Sequence, residues 1–227
     1  MRHYRLFFSV LLLCIAVSVC AQCRYCKSYE EFRAGQWTVL DTVNCIGRSK
    51  SQKVWAGGND YKLTRGDYVT DKMLKEDAFA VMVGDTIYVN MRNLRFEKSH
   101  FGSGYCKAIH IGQDTLLFVN QQIGKDVKKR MMIGGMFGAV GGAIAASGMA
   151  KQQVCYIICE GADSKGRIPI QMIDDKLVKE LMSKGIDLYK EYYSEKDDRK
   201  RIRATHVIPI LKKAGVFETG ESLLESL

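Results

Sequence analysis

The sequence predicts an α+β fold: an antiparallel β-hairpin module with an inserted glycine-rich apolar helical segment, followed by a C-terminal helical region. Three observations lead to this prediction. From Trp37 onward, short β-branched and aromatic runs are broken by Gly, Asn and Asp, which is typical of strands joined by turns. Residues 131–150 are apolar, uncharged and rich in glycine. After Ile173, apolar residues recur at the three- and four-residue intervals of a helix.

The first 21 residues have the pattern of a secretory signal peptide. A basic start, MRHYR, precedes the apolar run LFFSVLLLCIAVSV, and the small-residue motif VCA ends at Ala21. We therefore expect cleavage before Gln22 and export to the cell envelope, either in the periplasm or associated with a membrane, or secretion. Cys20 and Cys23 leave a lipoprotein route open, although Val19 and Gln22 precede them where that processing usually requires a small residue.

The net charge of the chain indicates which classes of partner it could bind. Removal of Arg2 and Arg5 lowers the charge of the chain from +9 to +7, and such an excess suits acidic lipid or nucleic acid. The sequence has no stripe of basic residues interleaved with aromatic ones, and an exported protein rarely meets nucleic acid. We therefore expect no nucleic-acid partner.

The β module, residues 22–173, begins with a short helix and continues as hairpins. Residues 28–31, SYEE, form a capping box for that helix. Two alternating runs meet at Gly84 and two more around Gly112, where a turn often requires positive φ. Residues 153–172 have the pattern of a third hairpin with a longer loop.

The stretch MMIGGMFGAVGGAIAASGMA, residues 131–150, is the most informative part of the chain. On a helix, small residues recur every four positions along one side and apolar residues line the other: Gly134, Gly138, Gly142 and Ala146, against Phe137 and Ile144. A groove without side chains lets another helix approach closely. The stretch therefore predicts helix contact or membrane contact.

This stretch is about long enough to cross a bilayer core of roughly 30 Å, so a transmembrane helix is one interpretation. Two observations disfavour a simple crossing. The basic residues 128–130 would lie outside the cytoplasm, against the positive-inside tendency. The β pattern also resumes at Gln153, which places both ends on one side if the third hairpin joins the same sheet. A segment that dips into the membrane, or one buried in protein, satisfies both observations.

The C-terminal region, residues 174–227, is predicted to be helical. A stripe with helical spacing contains Leu177, Val178, Leu181, Met182, Leu188, Tyr189, Tyr192 and Tyr193. Gly185 interrupts the stripe, so we expect two helices or one bent helix, with a further helix ending near Gly215. The tyrosines are expected to pack in the core with solvated hydroxyl groups rather than to form a ligand ladder.

Six cysteines remain after cleavage: Cys23, Cys26, Cys45, Cys106, Cys155 and Cys159. An even number in an oxidising compartment permits three disulfides, whose pairing the sequence leaves open. Cys23 and Cys26 have redox spacing, but we expect them at a frayed terminus, so structural or unpaired thiols are the favoured interpretation. No spacing predicts a metal site.

Motifs for catalysis are absent from the sequence. It contains neither a Gly-x-Ser-x-Gly elbow nor a phosphate-binding glycine loop. His100, His110 and His206 stand apart from one another. The acids 174–175 are interpreted as an N-cap and a first-turn carboxylate. We therefore expect no enzyme activity, cofactor or metal.

Several stretches resemble an uncharacterised family, a domain of unknown function in exported proteins of Bacteroides-type bacteria. These stretches are YEEFRAGQW, WAGGNDYKLTRGD, FAVMVGDTIYVNMRNLRF, FGSGYCKAIHIGQDTLLFVN and GAVGGAIAA. The resemblance covers most of the mature chain up to about residue 160. It implies export and this order of elements, and it assigns no functional residue.

The sequence thus favours a non-enzymatic exported cell-envelope protein that uses residues 131–150 as a glycine zipper for membrane association or self-assembly. The alternative is a soluble periplasmic or secreted binding module in which this segment is buried. An enzyme with an unrecognised site is a third hypothesis. No small-molecule ligand is indicated.

Overall fold

The computed structural model describes residues 23–49, 52–53, 59–112, 114–124, 153–182 and 186–217. The thirteen strands in these ranges are β1 Cys23–Cys26, β2 Thr38–Leu40, β3 Asn44–Gly47, β4 Tyr61–Thr64, β5 Ala80–Val83, β6 Thr86–Asn90, β7 Leu94–Phe96, β8 Ser99–His100, β9 Tyr105–Ile111, β10 Thr115–Gln121, β11 Gln153–Ile158, β12 Ile168–Pro169 and β13 Gln171–Met172. The six described helices are α1 Tyr29–Arg33, α2 Tyr68–Glu76, α3 Asp175–Leu181, α4 Ile186–Tyr192, α5 Asp198–Arg201 and α6 Ala204–Lys213.

Ten strands form one antiparallel sheet. Eight of them run in the order β13-β11-β10-β9-β6-β5-β1-β2. The β3–β4 pair joins the sheet only where Tyr61 lies opposite Tyr105 of β9. Strands β12, β7 and β8 form a separate small sheet in which β12 and β7 are parallel.

This architecture corrects the predicted fold class. The described residues form mostly antiparallel sheet, and the longest described helix, α6, has ten residues. The predicted α+β fold with a long inserted apolar helix is therefore wrong. Residues 131–150, to which that helix was assigned, lie outside the described residues.

The predicted hairpins are confirmed. Strands β5 and β6 pair with Val83 opposite Thr86, so a two-residue turn joins them. Gly84 and Gly112 have φ of +59° and +62°, which glycine adopts at little cost because it has no Cβ. Strands β11 and β13 form the third hairpin with its longer loop.

The central strands are buried on both faces. In β10, Leu116 and Phe118 face one core while Leu117 and Val119 face another, because successive side chains of a strand point to opposite sides. Helix α1 and the small sheet cover the first face. Helices α3, α4 and α6 cover the second. The stripe predicted for the C-terminal region packs there: Val178, Met182 and Tyr192 are buried, and the other members are half-buried against them.

The transmembrane-helix prediction is also corrected. None of the helices in the described ranges has both the length and the apolar character needed to cross a membrane. The strands that precede and follow residues 131–150 are direct neighbours, with Gln121 opposite Gln153. Paired residues of antiparallel strands lie about 5 Å apart. The chain therefore leaves and re-enters the sheet at one place.

The disulfide prediction is wrong as well. All six cysteines of the predicted framework lie in described residues, and no disulfide joins any two of them. They lie on or beside four strands, β1, β3, β9 and β11. Cys23 and Cys26 are not at a frayed terminus, because β1 lies inside the sheet between β5 and β2. Burial raises the pKa of Cys26 to about 12, and it also raises the pKa values of Cys106 and Cys155.

Candidate functional site

A pocket of about 410 Å³ lies between helix α2 and strand β4. Strand β4 pairs with β9 at one position, Tyr61 opposite Tyr105, and Leu63 of β4 and Tyr105 of β9 both line the pocket. The side chains that the following argument uses are Arg48, Lys62, Tyr68, Lys72, Lys75 and Asn90. We call this site the α2–β4 pocket.

Helix α2 positions one row of pocket side chains. Asp67 begins the helix, and its carboxylate accepts a hydrogen bond from the Thr70 backbone N–H at 2.9 Å. Tyr68, Lys72 and Lys75 follow at spacings of four and three, which places them along one side of the helix. Leu74 is fully buried and fastens the helix to the core.

The sheet holds the end of this helix. The Asn90 side chain donates to the carbonyl oxygens of Leu74, Lys75 and Ala78 at 3.2, 3.2 and 2.9 Å. The Tyr105 hydroxyl donates to the Leu74 carbonyl as well. The last carbonyls of a helix have no partners within it, so these side chains stabilise α2 where Lys72 and Lys75 enter the pocket.

Arg48 forms the opposite wall. Its Nη1 donates to the Ser103 carbonyl at 2.7 Å and to the Asn59 carbonyl at 3.5 Å. Gly104 lies beside it, and a Cβ there would come within 2.4 Å of Nη1. Burial lowers the pKa of Arg48, but an arginine remains charged at neutral pH. Both of these hydrogen bonds go to carbonyl oxygens, which carry no net charge, so these partners do not neutralise the charge of Arg48.

Two buried amides fix the loop that carries Ser103 and Gly104. Asn59 Nδ2 donates to the Gly102 carbonyl at 2.9 Å, and Asn59 Oδ1 accepts from Asn120 Nδ2 at 2.9 Å. Asn59 is fully buried and Asn120 nearly so. Because buried amides are costly without partners, this network holds the wall of the pocket in one conformation.

The lining is cationic. Two acids, Asp71 and Glu76, face four cations, and both acids have other partners. Asp71 accepts hydrogen bonds from Thr64 Oγ1 at 2.6 Å and from the Arg65 backbone N–H at 2.8 Å, which lower its pKa. Glu76 pairs with Arg92 at 3.3 Å.

The three lysines of the pocket, unlike Glu76, are not held in salt bridges by the described acids. Lys62, Lys72 and Lys75 are exposed and form no salt bridge with any carboxylate in the described ranges. The arrangement can therefore attract and hold an anionic group.

A metal site is not visible in the described part of the chain, where no group of three or more His, Cys, Asp or Glu side chains is placed to hold an ion. A second pocket of about 350 Å³ lies between α3 and β13. Its charged lining mixes Lys176 with Glu97, Asp174 and Glu180. Asp174 is already the N-cap of α3, accepting hydrogen bonds from the backbone N–H groups of residues 176 and 177. The acids outnumber the single lysine in this second pocket, so its charge is opposite to that of the α2–β4 pocket.

None of the predicted site residues that the structure describes lines the α2–β4 pocket. Gly134, Gly138, Gly142, Ala146, Phe137 and Ile144 lie outside the described residues. The candidate disulfide cysteines are spread over the sheet, as described above. Sequence reasoning missed the α2–β4 pocket because its cations come from three separated segments. One wall of the pocket could have been predicted from the sequence, because Tyr68, Lys72 and Lys75 have helical spacing after the capping residue Asp67.

The fold and the pocket define an antiparallel sheet protein with a cationic surface pocket. The chain belongs to a family of unknown function (DUF6563), whose model matches residues 24–218. No curated protein and no solved structure matched it in the same comparisons. The resemblance to an uncharacterised family is thereby confirmed, while export and the bacterial group remain predictions.

Proposed function

We propose that this protein is a non-enzymatic, exported binding protein of the cell envelope that holds an anionic group in the α2–β4 pocket. The observation that supports the proposal is the convergence beside Arg48 of three exposed lysines, none of which forms a salt bridge with a carboxylate in the described ranges. It corresponds to the binding-module alternative that the sequence left open.

Electrostatics favours this function over a merely solvated helix face. Lys72 and Lys75 are three residues apart on α2, and like charges at such spacing destabilise a helix by about 0.2–0.5 kcal/mol. A bound anion relieves that repulsion and gains charge-assisted hydrogen bonds. Arg48 is already oriented by carbonyl groups, so less side-chain entropy is lost when it meets a ligand.

Thermal unfolding in the presence of glycerol phosphate tests the proposal. A ligand that binds only the folded state raises Tm, because its stabilisation grows as RT ln(1 + [L]/Kd). We expect a rise for the unmodified protein and a much smaller one for the Lys72→Gln, Lys75→Gln double variant. The matched control is Lys179→Gln with Lys212→Gln, which removes the same charge from helices outside the pocket.

The proposal fails if glycerol phosphate raises Tm no more than sodium chloride of equal ionic strength does. It fails equally if the control variant loses as much of the effect as the pocket variant, since that would indicate general charge screening.

A second candidate function concerns residues 131–150. We propose self-assembly or membrane association through the groove of Gly134, Gly138 and Gly142. The supporting observation is the Gln121–Gln153 pair, because the strands that precede and follow this segment are direct neighbours in the sheet.

A single substitution separates the two modes of association. Leucine is more apolar than glycine but blocks close helix approach. If assembly uses the groove, Gly138→Leu weakens crosslinked oligomers, while Val140→Leu on the other side does little. Intact oligomers together with increased membrane retention in Gly138→Leu would contradict the groove and favour a lipid contact.

A further inference from the structure

We propose that the α2–β4 pocket docks the protein onto an anionic membrane surface, with a lipid headgroup phosphate in the pocket and Tyr68 and Val69 in the interfacial layer. This inference rests on the proposed anion-binding function and names the source of the anion.

Exposed apolar side chains lie on the elements that form the pocket and on the neighbouring strand β3. Tyr68 is 81% exposed and Val69 is 76% exposed, both in the first turn of α2. Ile46 is also exposed, and it pairs with Lys62 across β3 and β4. Directly opposite residues of an antiparallel pair share a face of the sheet, so Ile46 lies on the face of Lys62.

These side chains suit a membrane interface. A tyrosine has an apolar ring and a polar tip, and such residues concentrate at the level of lipid headgroups. Lysine side chains beside them can extend along apolar surface and keep their ammonium groups among the phosphates. A soluble anion would use the lysines but would leave Tyr68, Val69 and Ile46 in water.

The acids near this face only partly offset its positive charge. Arg65 Nη2 lies 2.8 Å from Asp41 and Arg65 Nε lies 3.7 Å from Asp67, and Glu76 pairs with Arg92. Asp71 accepts its hydrogen bonds from uncharged groups, so its negative charge remains in the pocket lining. The lining cations, Arg48 and the three lysines, outnumber the acids there, and this positive excess complements an anionic bilayer.

Vesicle sedimentation with the full chain tests the inference. The probes are vesicles of phosphatidylglycerol and phosphatidylcholine, and vesicles of phosphatidylcholine alone. We expect binding only to the anionic vesicles. The Lys72→Gln, Lys75→Gln variant should bind about 30-fold more weakly, since each basic residue near an anionic surface contributes about fivefold.

The apolar pair supplies the decisive variant. Val69→Ser with Ile46→Ser should weaken vesicle binding but keep the Tm rise with glycerol phosphate, because both side chains are exposed and neither lines the pocket. Val39→Ser is the control, since Val39 is 62% exposed on β2, a strand that contributes no side chain to the pocket lining.

Each outcome is decisive. A glycerol phosphate response without vesicle binding overturns the membrane inference and leaves the anion-binding function standing. No response to either probe overturns both. Vesicle binding that persists unchanged in the lysine variant and in the Ile46, Val69 variant assigns membrane contact to another part of the chain and overturns the inference.

Discussion

Gly104 shows how one residue can shape a site. Its φ of +128° is rarely adopted by residues with a side chain, and a Cβ would lie 2.9 Å from the Tyr61 carbonyl oxygen. Gly112 also has positive φ, +62°, but open space surrounds its Cβ position. Both need glycine for backbone reasons, whereas Gly104 also needs it for packing.

We predict that Gly104→Ala lowers the free energy of unfolding by about 3 kcal/mol, and Gly112→Ala by about 1 kcal/mol. The difference reflects the contact with Tyr61 and Arg48, since both substitutions place a side chain at positive φ. Urea unfolding midpoints of the two variants measure it. Equal midpoints would mean that Arg48 and Tyr61 can shift to accommodate the new methyl group without loss of stability.

At the scale of elements, one carboxylate joins three C-terminal helices. Asp175 of α3 accepts hydrogen bonds from Arg201 Nε at 3.0 Å and Nη2 at 2.7 Å, and from the Tyr192 hydroxyl at 2.8 Å. Arg201 also lies over the ring of Tyr193 at 5.1 Å. The sequence predicted Asp175 as a first-turn acid of α3, but these distant partners give it a second role.

We predict that Asp175→Asn reduces stability by about 1 kcal/mol at neutral pH. The Asp175 side chain is 40% exposed, so solvent screens the ion pair and a larger effect is not expected. Urea unfolding at pH 7 measures this change. The control is Asp187→Asn, because Asp187 is almost fully exposed and lies 4.0 Å from Lys190.

The same pair predicts a pH dependence. The hydrogen bonds from Arg201 hold the pKa of Asp175 below its usual value, which is about 3.9 in an unfolded chain. A depressed folded pKa contributes stability that is present above about pH 4 and is lost as pH falls through the folded value. Between about pH 5 and 2, the free energy of unfolding should therefore depend less on pH in Asp175→Asn than in the unmodified protein. In Asp187→Asn it should change with pH as it does in the unmodified protein.

At the scale of the whole molecule, β10 and β11 form a continuous pair from Leu116–Ile158 to Gln121–Gln153. Side chains of both strands enter the two cores of the sheet. Residues 125–152 therefore interrupt a hairpin that the rest of the structure already specifies.

We predict that replacing residues 125–152 with a four-residue Gly/Asn turn preserves the fold and stabilises it by about 1–2 kcal/mol. A shorter loop costs less closure entropy. Circular dichroism and urea unfolding measure the outcome, and self-assembly or membrane association should disappear if this segment causes it. A destabilised variant would instead show that the segment packs on the core, as the buried alternative requires.

Processing is also a property of the whole chain. We predict that the envelope form begins at Gln22, because the apolar run and VCA motif precede that residue. Intact mass of the isolated protein checks this prediction. A form that retains Met1 would contradict it, and a lipid-sized addition on Cys20 or Cys23 would favour the lipoprotein route.

The local features of this protein follow from sequence alone. The hairpin turns at Gly84 and Gly112, the caps at Ser28 and Asp174, and the packed stripe of the C-terminal region could all be predicted. Each depends on residues within a few positions of one another, where alternation, helical spacing and turn chemistry determine the backbone.

Tertiary structure alone decided the rest. It placed β1 inside the sheet, brought Arg201 to Asp175, and assembled the pocket from Arg48, Lys62 and α2. It also paired Gln121 with Gln153, the strand residues that precede and follow the glycine-rich range, which hydrophobicity could not reveal. These are contacts between distant residues, and they depend on strand order and on the single pairing of β4 with β9. No local pattern encodes them, because the same strand segments could pair in another order without changing their periodicity.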